Sequence, residues 1–331
     1  MDKTPEQIAD ELLAKAGYAA ASNKAHRKSK PNGQSGEQLY VQIADFVAYM
    51  PMHNYVFLPT REPWPASSVN GRIPPVRQGD KTIPASRWLD KNAPVEQMTW
   101  APGEAMLIKN RLISEGGWIE RRGCTTLNLY RPPTLVLGHA SEPTPWLNHV
   151  RRIYENEAEH ILRWLAHRVQ RPHEKINHAL VLGGKQGIGK DTLLEPIKRA
   201  VGPWNFVEVT PRHVLGRFNG FAKAVILRVN EARDLGDFDR FAFYDHMKSY
   251  TAAPPDVLRV DEKNLREYSV FNVCGVVITS NHKSDGIYLS PDDRRHFVAW
   301  SPLAKEDFED GYWTGLTTTM ITAVMKPLPV I

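Results

Sequence analysis

Ala179-Leu180-Val181-Leu182-Gly183-Gly184-Lys185-Gln186-Gly187-Ile188-Gly189-Lys190-Asp191-Thr192 is the stretch on which the fold turns. The apolar run 179–183 suits a buried strand, and apolar residues recur at helical spacing from Thr192 to Ala200. The glycines between them let the backbone curl so that successive N–H groups point inward, as phosphate oxygens require. Strand, glycine-rich turn and helix is the context that G-x-x-x-x-G-K-[ST] demands. A helix starting here adds the positive end of its dipole, and Lys190 adds a point charge for the β and γ phosphates. Gly184, Gln186, Gly187, Ile188, Gly189, Lys190, Asp191 and Thr192 are therefore the expected ATP-binding set. One departure is visible. Asp191 occupies the place where a Mg²⁺-binding Ser or Thr normally stands, and Thr192 follows it.

The chain, at 331 residues and 42% hydrophobic, is long enough for one large or two modest domains. Lys and Arg outnumber Asp and Glu by 42 to 37, a mild preference for a polyanionic partner. Its two cysteines, Cys124 and Cys274, lie far apart and suit a reducing compartment. His160, His167, His173 and His178 lack metal-ligand spacing and are expected on helix surfaces or in turns. No apolar run approaches a membrane span of roughly 18 residues and the N-terminus has no signal-peptide profile, so a soluble, intracellular protein without a membrane partner is expected.

Thr4-Pro5-Glu6-Gln7 reads as a helix start, with Ile8, Leu12 and Ala16 on one face. Residues 21–36 are small, polar and basic, a linker that is either merely solvated or in touch with nucleic acid. Residues 1–36 thus form a helix and linker, and 37–146 a small α+β or mainly β accessory domain without a catalytic constellation. The periodicity of Ala158, Ile161, Leu162, Leu165 and Val169 predicts one long helix over 146–170, stopped by Pro172. It leads into an α/β domain with a parallel sheet over 147–302, followed by a short tail at 303–331.

Binding alone does not give hydrolysis, which needs an acid near the metal and a group that orients water. Ala224-Val225-Ile226-Leu227-Arg228-Val229-Asn230-Glu231 is an apolar strand ending in Asn-Glu, which makes Glu231 the candidate base. Asp191, Thr192, Asn230 and Glu231 form the expected Mg²⁺ set, with Asp191 restoring the charge that Asn230 lacks. A third strand, 274–281, ends in Asn281, able to bond both a γ-phosphate and water. Arg294 and Arg295 follow it as candidate phosphate-reaching fingers, with a surface ion pair to Asp292 or Asp293 as the alternative. Arg295 is favoured, because Arg294 adjoins Asp293. Between the second and third strands a helix is expected over 237–250, then a hairpin over 257–270 carrying Arg259, Lys263 and Arg266.

This order of parts resembles the superfamily-three helicases, most nearly the phage and prophage primase-helicase type. The resemblance covers residues 40 to 302, including the upstream Trp-x-Pro-Gly and Asn-Leu-Tyr-Arg-Pro-Pro segments. It implies an AAA+-like P-loop ATPase core and a homo-oligomeric ring, usually a hexamer, with ATP between neighbours. It also implies 3′-to-5′ travel on single-stranded or forked DNA, a primase or other replication partner, and a place in the cytoplasm of a bacterial host. By residue, the resemblance makes Lys190 the phosphate ligand, Glu231 the acid, Asn281 the sensor, Arg294 or Arg295 a finger in trans, and Lys263 a DNA contact. Two other readings stay open: a nucleotide-binding assembly protein without turnover, and a motor for another DNA task such as packaging.

Overall fold

The computed structural model describes residues 41–134, 144–230, 236–282 and 292–317. The expected N-terminal helix and linker, and the candidate base Glu231, lie outside the described residues. The described chain forms two compact units. One contains residues 41–99, Ala105–Ile113 and Trp118–Leu129; the other contains Trp100–Glu104, Ser114–Gly117 and the chain from Tyr130 onward.

The first unit is built from short strands and two helices: β1 (Phe46–Tyr49), β2 (Asn54–Phe57), β3 (Glu62–Pro65), α1 (Ala66–Arg72), β4 (Val76–Gln78), β5 (Lys81–Ile83), α2 (Ala85–Asn92), β6 (Pro94–Val95), β7 (Gln97–Thr99), β8 (Leu107–Ser114) and β9 (Gly117–Asn128). A four-stranded sheet runs β3-β2-β1-β6, and β7-β9-β8 form a second sheet. Aromatic and β-branched residues favour strands, and here they supply the core: Phe46, Val47, Tyr55 and Val56 pack with Val69, Trp88 and Leu89 from the helices.

The second unit opens with α3 (Thr144–Ile153) and α4 (Ala158–Gln170). The single helix expected over 146–170 is therefore two. The break falls at Tyr154, whose buried phenol donates to the Gly183 carbonyl at 3.2 Å. A buried tyrosine hydroxyl needs a partner, and Gly183 supplies it where the first helix ends. There follow β10 (Ala179–Gly183), α5 (Lys190–Val201), β11 (Phe206–Val209), α6 (Pro211–Val214), β12 (Ile226–Val229), α7 (Gly236–Thr251), β13 (Val257–Val260), β14 (Tyr268–Phe271), β15 (Gly275–Ser280) and β16 (His296–Trp300).

Five of these strands make one sheet in the order β11-β12-β15-β10-β16. Every pairing is parallel, with Leu180 opposite Val277 on one side and Phe297 on the other. All of β10 and β15 is buried, as a parallel sheet covered on both faces requires. Gly275 permits the close approach of α4: a Cβ there would lie 2.4 Å from Arg168 Cδ and 2.9 Å from the Trp164 ring. From β10 the chain crosses to the far edge at β11, returns through β12 and β15, then passes to the other side of β10 at β16. The neighbouring strands β10 and β15 send their connections to opposite edges of the sheet, and such a reversal opens a crevice at the carboxyl ends of the strands.

Candidate functional site

The loop between β10 and α5 closes over that crevice. Gly184, Gly187 and Gly189 have φ of 146°, 85° and 88°, a region that side chains rarely enter. At Gly189 space is also lacking, because a Cβ would lie 2.7 Å from both the His149 and Trp313 rings. Ile188 is fully buried and pins the loop from behind. Lys190 in the first turn of α5 is 8% exposed and folds back, donating to the carbonyls of Gly184 at 2.6 Å and Lys185 at 2.9 Å. Burial lowers its ammonium pKa, Asp191 opposes that shift and Arg228 adds to it. A half-dehydrated ammonium held only by loop carbonyls is available to a stronger, anionic partner.

A cavity of about 980 Å³ opens on this loop, lined also by Thr210, Pro211 and Arg212 beyond β11, Arg228 in β12 and Asn230 after it, and Thr279 in β15 and Asn281 after it. It brings together Gln186, Gly187, Gly189, Lys190, Asp191, Thr192, Asn230 and Asn281 from the sequence-predicted set, with Gly184 and Ile188 in the same loop. Thr279 donates to the Asn230 side-chain oxygen at 3.3 Å, tying the ends of β12 and β15. Asp191 is bound by the guanidinium of Arg228, which also reaches Glu208 at 2.9 Å. The Arg228 side chain is only 11% exposed, while that of Asp191 is 79% exposed. Among the described residues no group of three or more His, Cys, Asp or Glu could hold a metal. Any Mg²⁺ here would take most ligands from phosphate and water, which is its habit with nucleotides.

Arg294 and Arg295 do not reach this cavity. They line another of about 530 Å³, with Phe241, Tyr244, Lys248, Asp292 and Asp293. The expected local pairing of Arg294 with Asp293 is not what forms. Asp293 accepts from the Tyr244 hydroxyl at 2.6 Å, the His296 ring at 3.0 Å, and the backbone N–H groups of Arg295 and His296 at 2.9 Å each. With its oxygens so committed, Asp293 leaves the exposed Arg294 as the more accessible arginine.

β13 and β14 pair antiparallel as the expected hairpin. Its turn carries exposed Lys263 beside Asn264, whose φ is 65°. The neighbouring acids are engaged at the base: Glu262 with Lys223 at 2.7 Å and Asp261 with Arg217 at 3.2 Å. Arg259 is ion-paired to Glu267 at 3.4 Å, and Arg266 is exposed.

Sequence reasoning passed over three contributors. Arg228 was hidden inside an apolar strand, although a lone charge in such a run is itself a signal. His149 is fully buried; one ring nitrogen meets the Gly189 carbonyl at 3.1 Å and the other the Tyr312 hydroxyl at 2.9 Å. Trp313 lines the cavity from the segment that reads as a tail. The rings of Phe308, Tyr312 and Trp313 pack against one another, with centroids 4.9–5.1 Å apart.

Residues 182–295 match a family of unknown function, DUF5906. The chain is also similar to the DNA primase-polymerase of Nitratiruptor phage NrS-1, 23% identical over 201 residues, which is 59% of this chain and 27% of that protein. Among solved structures, the apo C-terminal region of NrS-1 superposes with a TM-score of 0.64 at 17% identity, covering 83% of this chain and 64% of that one. A second form of that region gives a TM-score of 0.62 at 17% identity, covering 84% and 64%. The chain thus spans about a quarter of the length of the curated relative it matches, and it shares the mixed α/β fold of that relative's C-terminal region.

Proposed function

We propose that this protein is an ATP-driven motor on single-stranded or forked DNA, a helicase acting in the replication of a phage or mobile element. The observation that carries this reading is the cavity at the carboxyl ends of the parallel strands, floored by the Gly184–Gly189 loop with Lys190 folded into it. Such a cradle of N–H groups, helix N-terminus and ammonium suits a triphosphate. Sequence kinship with a phage DNA primase-polymerase supports a replication role.

In this reading residues 147–302 are an AAA+-like P-loop core. Lys190 holds the β and γ phosphates, Asn281 orients the γ-phosphate and attacking water, and Glu231 accepts that water's proton. Asp191, Thr192, Asn230 and Glu231 would hold Mg²⁺; the metal would neutralise charge developing on the phosphates. Arg294 or Arg295, in a cavity apart from the nucleotide site, serves a neighbour's ATP in a ring, a hexamer in the family resembled. Lys263, Arg259 and Arg266 meet the DNA backbone, and a primase module is the natural partner.

The test is ATP hydrolysis with and without single-stranded DNA, followed by unwinding of a forked duplex. Stimulated turnover, abolished by Lys190→Ala and by Glu231→Gln with ATP binding kept in the latter, is the expected result. Undiminished hydrolysis in Glu231→Gln would remove its role as base. A second reading, nucleotide binding without productive turnover, draws on Asn230 and on the Arg228 grip of Asp191, which together reduce negative charge at the metal position. Tight ATP binding with no hydrolysis under any DNA condition would favour it.

A further inference from the structure

The cavity on the glycine loop has two chemically different ends. Thr279 in β15, and Asn230 and Asn281 just beyond the ends of β12 and β15, lie on one side of β10, and they are polar. Trp313 comes from the segment after β16, the strand on the other side of β10. A triphosphate seated on the loop would direct its γ end toward the polar strand ends and its nucleoside toward the indole. The indole is not loosely placed. Its ring packs edge-on against His149 at 5.7 Å, against Tyr312 at 5.1 Å, and tilted on Phe308 at 4.9 Å between centroids. The Arg152 guanidinium lies over the rings of Phe308 and Tyr312 at 4.7 and 4.9 Å. His149 joins this aromatic group to the loop through the Gly189 carbonyl.

We infer that Trp313 is the base-stacking face of the site, so that the ligand is a nucleoside triphosphate, and not merely a polyphosphate, with purines favoured for their larger ring. His149 is a positioning residue that fixes the distance between that face and the phosphate loop. This rests on the nucleotide reading of the cavity. Stacking on an indole tolerates any base, because every base has a π-face. The site would therefore discriminate base from no base more strongly than one base from another.

The experiment compares calorimetric affinities of wild type, Trp313→Ala and Trp313→Phe for ATP and for inorganic tripolyphosphate. Trp313→Ala should weaken ATP about tenfold, within the range expected for losing one stacked base, and leave tripolyphosphate within twofold. Trp313→Phe should recover most of the loss. Energy transfer from protein tryptophan to an N-methylanthraniloyl-labelled ATP should fall sharply in Trp313→Phe. Equal weakening of ATP and tripolyphosphate would show that Trp313 only shapes the loop, and would overturn the assignment. Unchanged ATP affinity in Trp313→Ala, with binding still abolished by Lys190→Ala, would overturn it while leaving the nucleotide site standing. No ATP binding by the wild type would remove both.

Discussion

Arg228 and Asp191 form an ion pair across the candidate nucleotide cavity, joining strand β12 to the first turn of helix α5. Glu208 holds the other arm of the same guanidinium, and Lys198 holds Glu208 at 3.0 Å. Asp191 is therefore oriented, and only one of its oxygens is used by Arg228. The other oxygen can receive a metal-bound water. Outer-shell partners of a metal's ligands typically contribute ten- to a hundred-fold in metal affinity. Asp191→Asn and Arg228→Gln should each raise the Mg²⁺ concentration for half-maximal ATP hydrolysis about tenfold, with the fold kept. A Mg²⁺ requirement unchanged in both variants would make the pair purely structural.

His149 predicts a pH dependence. The Gly189 carbonyl can only accept, so Nε2 carries the hydrogen and Nδ1 of the neutral ring accepts from Tyr312. Burial lowers the pKa of His149 below its ordinary 6.5, the Gly189 bond opposes this, and Arg152 adds to it. The unfolded chain then binds the proton first on acidification. Stability contributed by the neutral ring is fully present above about pH 6.5 and is lost as pH falls from there toward the lowered native value. His160, His178 and His296 are also lowered by burial, so the whole protein softens in this range. Melting temperature and ATP affinity measured from pH 7.5 to 5.5 should both fall. His149→Gln, a neutral stand-in, should flatten the affinity curve and only part of the melting curve; an affinity curve of unchanged steepness would discharge His149.

Much of this site was legible because its parts are local. The apolar run 179–183, the glycines and Lys190 sit within a dozen consecutive residues, and the strands leading to Asn230 and Asn281 are apolar almost throughout. What was not legible depends on distant packing. Strand β16 hides in His296-Phe297-Val298-Ala299-Trp300, too short and mixed to separate from the arginines before it. The helix break at Tyr154 coincides with a bond to Gly183, 29 residues on. Trp313 reads as part of a tail because nothing in its neighbourhood announces Gly189. Arg295 reads as the better placed of the two arginines because Arg294 adjoins Asp293, whereas Tyr244 and His296 hold that carboxylate in the structure.

Lys263 supplies a prediction about DNA. Asp261 and Glu262 are held at the hairpin base by Arg217 and Lys223, so the exposed lysine projects from a braced turn. Lys263→Ala should weaken single-stranded DNA binding and unwinding while basal ATP hydrolysis is largely kept. The slope of log affinity against log salt should shrink by about one unit for one lost phosphate contact. Arg259→Ala should do less, because its charge is already shared with Glu267. An unchanged affinity and slope in Lys263→Ala would return that residue to the role of a solvated turn.

The arginines test the ring itself. Arg294 and Arg295 line a cavity separate from the one at Lys190, so the proposed role in hydrolysis is one played on a neighbouring subunit. Arginine fingers contribute on the order of 10³–10⁵ in rate, far beyond a surface ion pair. Arg294→Ala should therefore keep ATP binding and lose most turnover, with Arg295→Ala the weaker of the two because Arg294 is the more exposed. Mixing supplies the decisive measurement. A Lys190→Ala subunit has a dead loop and an intact arginine; an Arg294→Ala subunit has the reverse. In mixed rings, some interfaces pair an intact loop with an intact arginine, and hydrolysis should reappear that neither variant shows alone. If native mass spectrometry shows both variants in the same particle and no hydrolysis returns, the arginine does not act across subunits.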